Sequence, residues 1–346
     1  MKTMRKEDRI INGLKELFDQ NGYRYYKMRK FEEYSLYMEN KNFLSSDRII
    51  TFNHSGKLLA LKPDVTLSIV KNAKAYIGNT EKLYYHEGVY RYDRKSHEYK
   101  EINQIGLEVM GKIDITTDCE ILSLALKALN KISDKYMLCI SNTGIISGLF
   151  SHFEIQSLDI KNRIIHSIKE KSKHTLEAVL DEISISEEGK KMFFDLLIGR
   201  FPQIEETKSA ADVLYNTLDF MYELGYKDKI KLDFSIINDL DYYNGTVFNG
   251  FIDGIPKVIL SGGRYDGLVE KFGAKVDAEG FAIYLDDLLY LDESSEYDVD
   301  VLLVYDENAS PVEVLKKAEK IISTGESVRM DSRVPSDIKF KRKETL

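Results

Sequence analysis

Cysteine is nearly absent from this chain, with only Cys119 and Cys139 among 346 residues, each inside an apolar periodic segment. No disulfide framework and no Cys-x-x-Cys pair can be drawn from them, and they read as buried thiols of a reducing compartment. The histidines, His54, His86, His97, His152, His166 and His174, show no close metal-ligand spacing, so no structural zinc or other metal is expected. Long apolar runs are also missing. The N-terminus lacks the apolar stretch of a secretory signal and nothing approaches the ~20 apolar residues of a membrane span, so no membrane partner is expected and a cytoplasmic location is. Basic charge is not in excess. A formal net charge of -8 argues against a surface built to track nucleic-acid phosphates. Gly262-Gly263-Arg264 lacks the spaced glycines and lysine of a phosphate loop and reads as a turn, so no cofactor is expected.

What is present is ordinary globular composition, 43% hydrophobic and 31% charged, at a length that implies two or three structural units. Ile10, Ile11, Leu14, Leu17 and Phe18 share one helical face, which stops at Asn21-Gly22. Short β-type runs follow, notably 56–61, 82–92 and 101–110. Thr117 and Glu120 form a capping-box pattern ahead of a helix through Ile121, Leu122, Leu124, Ala125, Leu129 and Ile132. Charged helical stretches at 160–183, 187–197 and 209–224 read as a helical insertion over 147–225. Strand patterns resume at Lys229, and Asp253-Gly254 between apolar runs signals a hairpin, because such turns need positive φ. The region 280–291 reads as a core helix or a strand-helix junction. A buried strand at 299–305 and a helix at 311–322 open a short α/β segment over 297–346, while the terminal Lys339, Lys341, Arg342 and Lys343 read as a solvated tail. The remaining 1–146 and 226–296 form the main core.

Within the run 102–109, alternation places Gln104, Gly106 and Glu108 on one face of a strand and Ile105, Leu107 and Val109 on the other. An amide and a carboxylate flanking a residue without a side chain make a floor for a small polar ligand; a half-exposed strand with ordinary outer polar positions has the same pattern. Five fragments occur in order around it: Leu61-Lys62-Pro63-Asp64-Val65-Thr66, Tyr90-Arg91-Tyr92-Asp93, Asn103-Gln104-Ile105-Gly106-Leu107-Glu108, Leu240-Asp241-Tyr242-Tyr243 and Gly262-Gly263-Arg264-Tyr265-Asp266-Gly267. Together they resemble the catalytic core of the class II histidyl-tRNA synthetases over roughly residues 1 to 290. The resemblance implies an α+β fold, an antiparallel sheet flanked by helices, and a homodimer. It places a histidine pocket on Asp64, Thr66, Arg91, Gln104, Glu108, Tyr242 and Tyr243. Asp64, Thr66 and Gln104 would hold the ammonium group, Glu108 and a tyrosine hydroxyl the imidazole nitrogens, and Arg91 the carboxylate. Asp64 could instead cap a helix, Arg91 could form a structural ion pair, and the tyrosines could be core aromatics.

The departures from that resemblance fall on cations. Asn238 stands where the synthetases have a catalytic arginine, Glu98 aligns with an arginine in the loop after the Arg91 motif, and Tyr284-Leu285-Asp286-Asp287 replaces a closing Gly-Leu-Glu-Arg. Fixed cations aimed at phosphate supply much of the catalysis of adenylation, so its loss is expected. The C-terminal segment is shorter than a complete anticodon-binding domain, so tRNA is not an expected partner. The whole pattern is similar to the ATP phosphoribosyltransferase regulatory subunit family. Those non-catalytic proteins join a short catalytic subunit in hetero-oligomers and confer inhibition by L-histidine in the first step of histidine biosynthesis. A divergent or truncated histidyl-tRNA synthetase and a stand-alone histidine-binding module are the alternatives.

Overall fold

The computed structural model describes residues 6–39, 49–72, 78–93, 96–237, 242–273, 275–291, 297–306 and 308–346. The first stretch of chain gives α1 (Lys6–Gln20), β1 (Arg24–Tyr25), β2 (Phe31–Glu33), α2 (Tyr34–Glu39), β3 (Thr51–His54), β4 (Lys57–Leu61) and α3 (Val65–Asn72). The long pair β5 (Glu81–Asp93) and β6 (Glu98–Gly111), α4 (Ile115–Ile132) and β7 (Tyr136–Asn142) follow. Five helices come next: α5 (Thr143–His152), α6 (Leu158–Lys169), α7 (Lys173–Glu182), α8 (Glu187–Leu197) and α9 (Glu205–Glu223). The chain then returns to strand with β8 (Ile230–Leu232), β9 (Thr246–Ile252), β10 (Leu260–Arg264), the short helix α10 (Asp266–Lys271) and β11 (Asp277–Tyr284). It closes with β12 (Val299–Val304), α11 (Pro311–Ser323), β13 (Val328–Asp331) and β14 (Phe340–Thr345).

Among the described residues an eight-stranded sheet runs β1-β5-β6-β11-β10-β9-β7-β8. Its six inner strands are antiparallel, and the two edge strands β1 and β8 join parallel. This is the expected class II synthetase-like α+β fold, an antiparallel sheet flanked by helices, with parallel additions at its edges. Ile105, Leu107 and Val109 are fully buried on one face of β6, as alternation requires. The same face takes aromatic packing from α1, where the ring of Phe18 meets those of Tyr84 and Phe281. The turn at Gly254 has φ +85°, and β9 and β10 pair across it, although β10 resumes only at Leu260.

Several sequence expectations are corrected. Helix α4 starts before the Thr117 capping box, because Asp114 is the N-cap and its carboxylate accepts from the Thr117 amide; Glu120 pairs instead with Lys82. The expected 160–183 helix is two helices, with Lys171 at φ +50° and Ser172 capping the second. Gly262-Gly263 is no turn but part of β10. A side chain at Gly262 would lie 2.5 Å from both the Gly280 carbonyl oxygen and the Phe281 Cβ, so glycine is required by crowding rather than by chain reversal.

The chain divides into two compact units, one of Gly13–Asp287 and one of Met1–Asn12 with Leu288–Leu346. In the latter, β12 lies between β13 and β14 in a parallel sheet, with Leu303 of β12 packed against Val314 and Ala318 of α11. The basic terminus is therefore strand β14, not a frayed tail. Its backbone ladders onto β12, Arg342 pairs with Glu326 and Glu344, and such charged side chains on an edge strand leave no apolar alternation to announce it.

Candidate functional site

Glu108 is the centre of the site. It sits on β6 with only 2% of its surface exposed, directly across from Gly280 on β11. A Cβ at Gly280 would lie 2.0 Å from Glu108 Oε2, so glycine there is what lets the carboxyl lean over the neighbouring strand. Thr66 Oγ1 donates to Glu108 Oε1 at 2.9 Å and the Tyr265 hydroxyl donates to Oε2 at 2.6 Å. No cation is among these partners. Burial pushes the Glu108 carboxyl up to about 8, the two hydroxyl bonds oppose the rise, and the charge of Asp64 adds to it. At neutral pH the acid therefore holds its proton for most of the time.

Thr66 comes from the first turn of α3, and the loop before that helix supplies Asp64. Asp64 Oδ1 accepts from the Leu67 amide at 2.9 Å, a helix-capping bond, and Oδ2 faces Arg91 Nη2 at 3.3 Å. Arg91 Nε donates to the Pro63 carbonyl at 2.8 Å. The capping and ion-pair roles that the sequence left open for Asp64 and Arg91 are thus both filled, and both residues still line the cavity. The loop is anchored by Lys62, which is 0% exposed and pairs with Glu87 at 3.0 Å, while Glu87 also accepts from the Met28 amide at 3.0 Å.

All seven residues singled out from the sequence, Asp64, Thr66, Arg91, Gln104, Glu108, Tyr242 and Tyr243, line one cavity of about 530 Å³. Tyr242 shares a hydrogen bond with Thr66, and Tyr243 shares one with Ser261. Burial holds both phenols far above their ordinary range, so they remain neutral donors and acceptors. The floor differs from the sequence expectation at Gly106. The space over that glycine is taken by the Phe281 carbonyl oxygen and the Tyr85 hydroxyl, which would stand 2.2 and 2.6 Å from an added Cβ, so protein atoms rather than a ligand make the close approach. The wall also includes Ser261, Tyr265, Gly280, Tyr284 and Lys169, none of which the sequence reading assigned. Tyr265 lies within a quoted motif and was legible there as a candidate; Lys169 carries no sequence signal.

Of the three positions where the sequence departs from the synthetase pattern, Glu98 and Asp287 lie outside the cavity lining. Glu98 is exposed at the start of β6, at the hairpin end and opposite Asp93, and does not line the cavity. Asp287 is engaged by Lys257, and its neighbour Asp286 accepts from the Asn103 amide at 2.9 Å and from Asn103 Nδ2 at 3.0 Å. Both aspartates thus hold structure where the synthetases end their third motif. Asn238 lies outside the described residues. Among the described residues no cluster of three His, Cys, Asp or Glu side chains could hold a metal ion, and no helix is long and apolar enough to cross a membrane.

The lining combines two carboxyls, one guanidinium, one ammonium, an amide and several hydroxyls, which suits a small amphoteric ligand. Comparison with known proteins agrees with the fold and narrows the class. A family model described as histidyl-tRNA synthetase matches residues 2–288. An ATP phosphoribosyltransferase regulatory subunit of Thermoanaerobacter pseudethanolicus is 29% identical, covering 94% of this chain and 90% of the relative. A histidine–tRNA ligase of Methanocaldococcus jannaschii is 27% identical, covering 95% and 82%. The crystal structure of an ATP phosphoribosyltransferase regulatory subunit/histidyl-tRNA synthetase from Bacillus halodurans superposes with a TM-score of 0.80 at 21% identity, covering 98% of this chain and 93% of that one.

Proposed function

Because the chain belongs to the histidyl-tRNA synthetase family, we propose that it is a non-catalytic regulatory subunit of ATP phosphoribosyltransferase that binds L-histidine and partners the short catalytic chain. The observation that carries the reading is the buried Glu108, walled by the hydroxyls of Thr66 and Tyr265 inside a polar cavity of about 530 Å³. A proton-bearing acid can donate to an imidazole nitrogen, and after losing its proton it can accept from an imidazolium. Neutral tyrosine hydroxyls beside it add further donors. Gln104 and the free lone pairs around Asp64 suit an ammonium group.

The sequence is poorly furnished for adenylation. Asp286 and Asp287 stand where the resemblance implies a closing Glu-Arg, and Asn238 where it implies a catalytic arginine. A polyphosphate needs aimed cations, and added carboxylates oppose it. Signalling to the partner requires that histidine bind the inhibited assembly more tightly than the active one; equal affinity shifts nothing. The homodimer within a hetero-oligomer and the cytoplasmic location belong to this reading as well. Titration calorimetry with L-histidine is expected to show one site per chain, and histidine-dependent exchange of pyrophosphate into ATP is expected to be undetectable. Exchange above background would assign the chain to the ligases instead.

A further inference from the structure

We propose that Lys169, contributed by the last turn of α6, is the cation that meets the carboxylate of the bound amino acid. This inference rests on the reading of the cavity as an amino-acid site. Among the cavity's lining residues the cations are Arg91 and Lys169. Arg91 is held in place, with Nε bonded to the Pro63 carbonyl and Nη2 paired with Asp64. Its charge is offset by Asp64 before any ligand arrives. Lys169 is exposed at the cavity and forms no ion pair among the described residues.

Two features place that ammonium at the cavity. Two residues beyond it, Lys171 pairs with Asp233 at 2.7 Å, and Asp233 also accepts from the amide and hydroxyl of Ser235, at 3.0 and 2.6 Å. The Ser172 amide closes onto the Ser167 carbonyl at 2.9 Å and stops α6 locally, while the Lys171–Asp233 pair ties that helix end to the turn that leaves β8. A lysine on such a fixed base carries a compact charge on a flexible stem. It can swing onto a carboxylate without the preset fork that an arginine needs. Without it, a ligand carboxylate entering beside Asp64 would meet only the Arg91 guanidinium, whose charge that aspartate already offsets. A zwitterion gripped this way bridges the sheet, which holds its ammonium and ring, to α6, which holds its carboxylate.

The test is titration calorimetry of the full chain with L-histidine and with L-histidinol, which has the same ring and amine but no carboxylate. Lys169→Met is expected to weaken L-histidine binding about fivefold to tenfold, as for a partly desolvated ion pair, and to leave L-histidinol within about twofold. Lys169→Arg is expected to restore most of the loss. Equal affinity of Lys169→Met and the parent chain for L-histidine overturns the role of Lys169 while leaving the amino-acid site intact. Equal loss for both ligands also overturns it, since that is the mark of a structural effect. Failure of the unsubstituted chain to bind L-histidine overturns the site reading itself.

Discussion

At the scale of single residues the account turns on a buried acid. Glu108 has two hydroxyl donors and no cationic partner, and burial raises its carboxyl from 4.5 to about 8. Below pH 4.5 this group is protonated whether the chain is folded or not. Between 4.5 and about 8 the unfolded chain releases the proton and the folded chain keeps it, so the folded state loses stability as pH rises across that window. The full rise corresponds to roughly 4 to 5 kcal/mol. Glu108→Gln, which imitates the neutral acid, is expected to flatten that share of the slope; unfolding midpoints measured across the window check it, and an unchanged slope would refute the shift. The residue itself was legible in the sequence, since alternation along 102–109 sets it opposite a buried face. Its partner Tyr265 was legible only as part of a motif, because no periodicity shows that a hydroxyl from 157 residues away lands on it. Lys169 was not legible at all, being one exposed lysine in a charged helical stretch.

At the scale of elements, the site depends on how the Pro63–Asp64 loop is held. Lys62 is a fully buried cation whose Nζ lies 3.0 Å from Glu87 Oε2, and its backbone accepts from the Tyr90 amide and donates to the Lys30 carbonyl. Lys62→Ala leaves Glu87 without its cation in a largely enclosed place and is expected to cost about 3–5 kcal/mol, read as a fall in the denaturant midpoint. Lys62→Met, which keeps the volume, is expected to cost less. If methionine, which also removes the cation, cost almost nothing, the pair would not be what anchors the loop. Elements with strong alternation or strong helical periodicity, such as β6 and α8, were legible because burial imposes their period. Those whose conformation is set by a distant partner were not. Gly262 and Gly263 resemble turn residues until the crowding of β11 is seen, and β14 shows only charge because its partner strand supplies the apolar side.

For the whole molecule, family membership explains the sheet and the cavity, while function is decided by what the cavity can hold. The expected fold was legible because five short fragments keep their order along the chain. The seven pocket positions converge on one cavity because those fragments sit on α3, β5, β6 and the approach to β9, which the sheet brings side by side. Less legible was the C-terminal unit, whose two later strands have too little apolar pattern to stand out. The central claim is that this chain controls a separate phosphoribosyltransferase in response to histidine. It is tested most directly by assaying phosphoribosyl-ATP formation by the short catalytic subunit of the same genome, with and without this chain, across an L-histidine titration. The account predicts activity that depends on this chain, is suppressed by L-histidine, and loses that suppression in Glu108→Ala. Catalysis indifferent to the presence of this chain would contradict it.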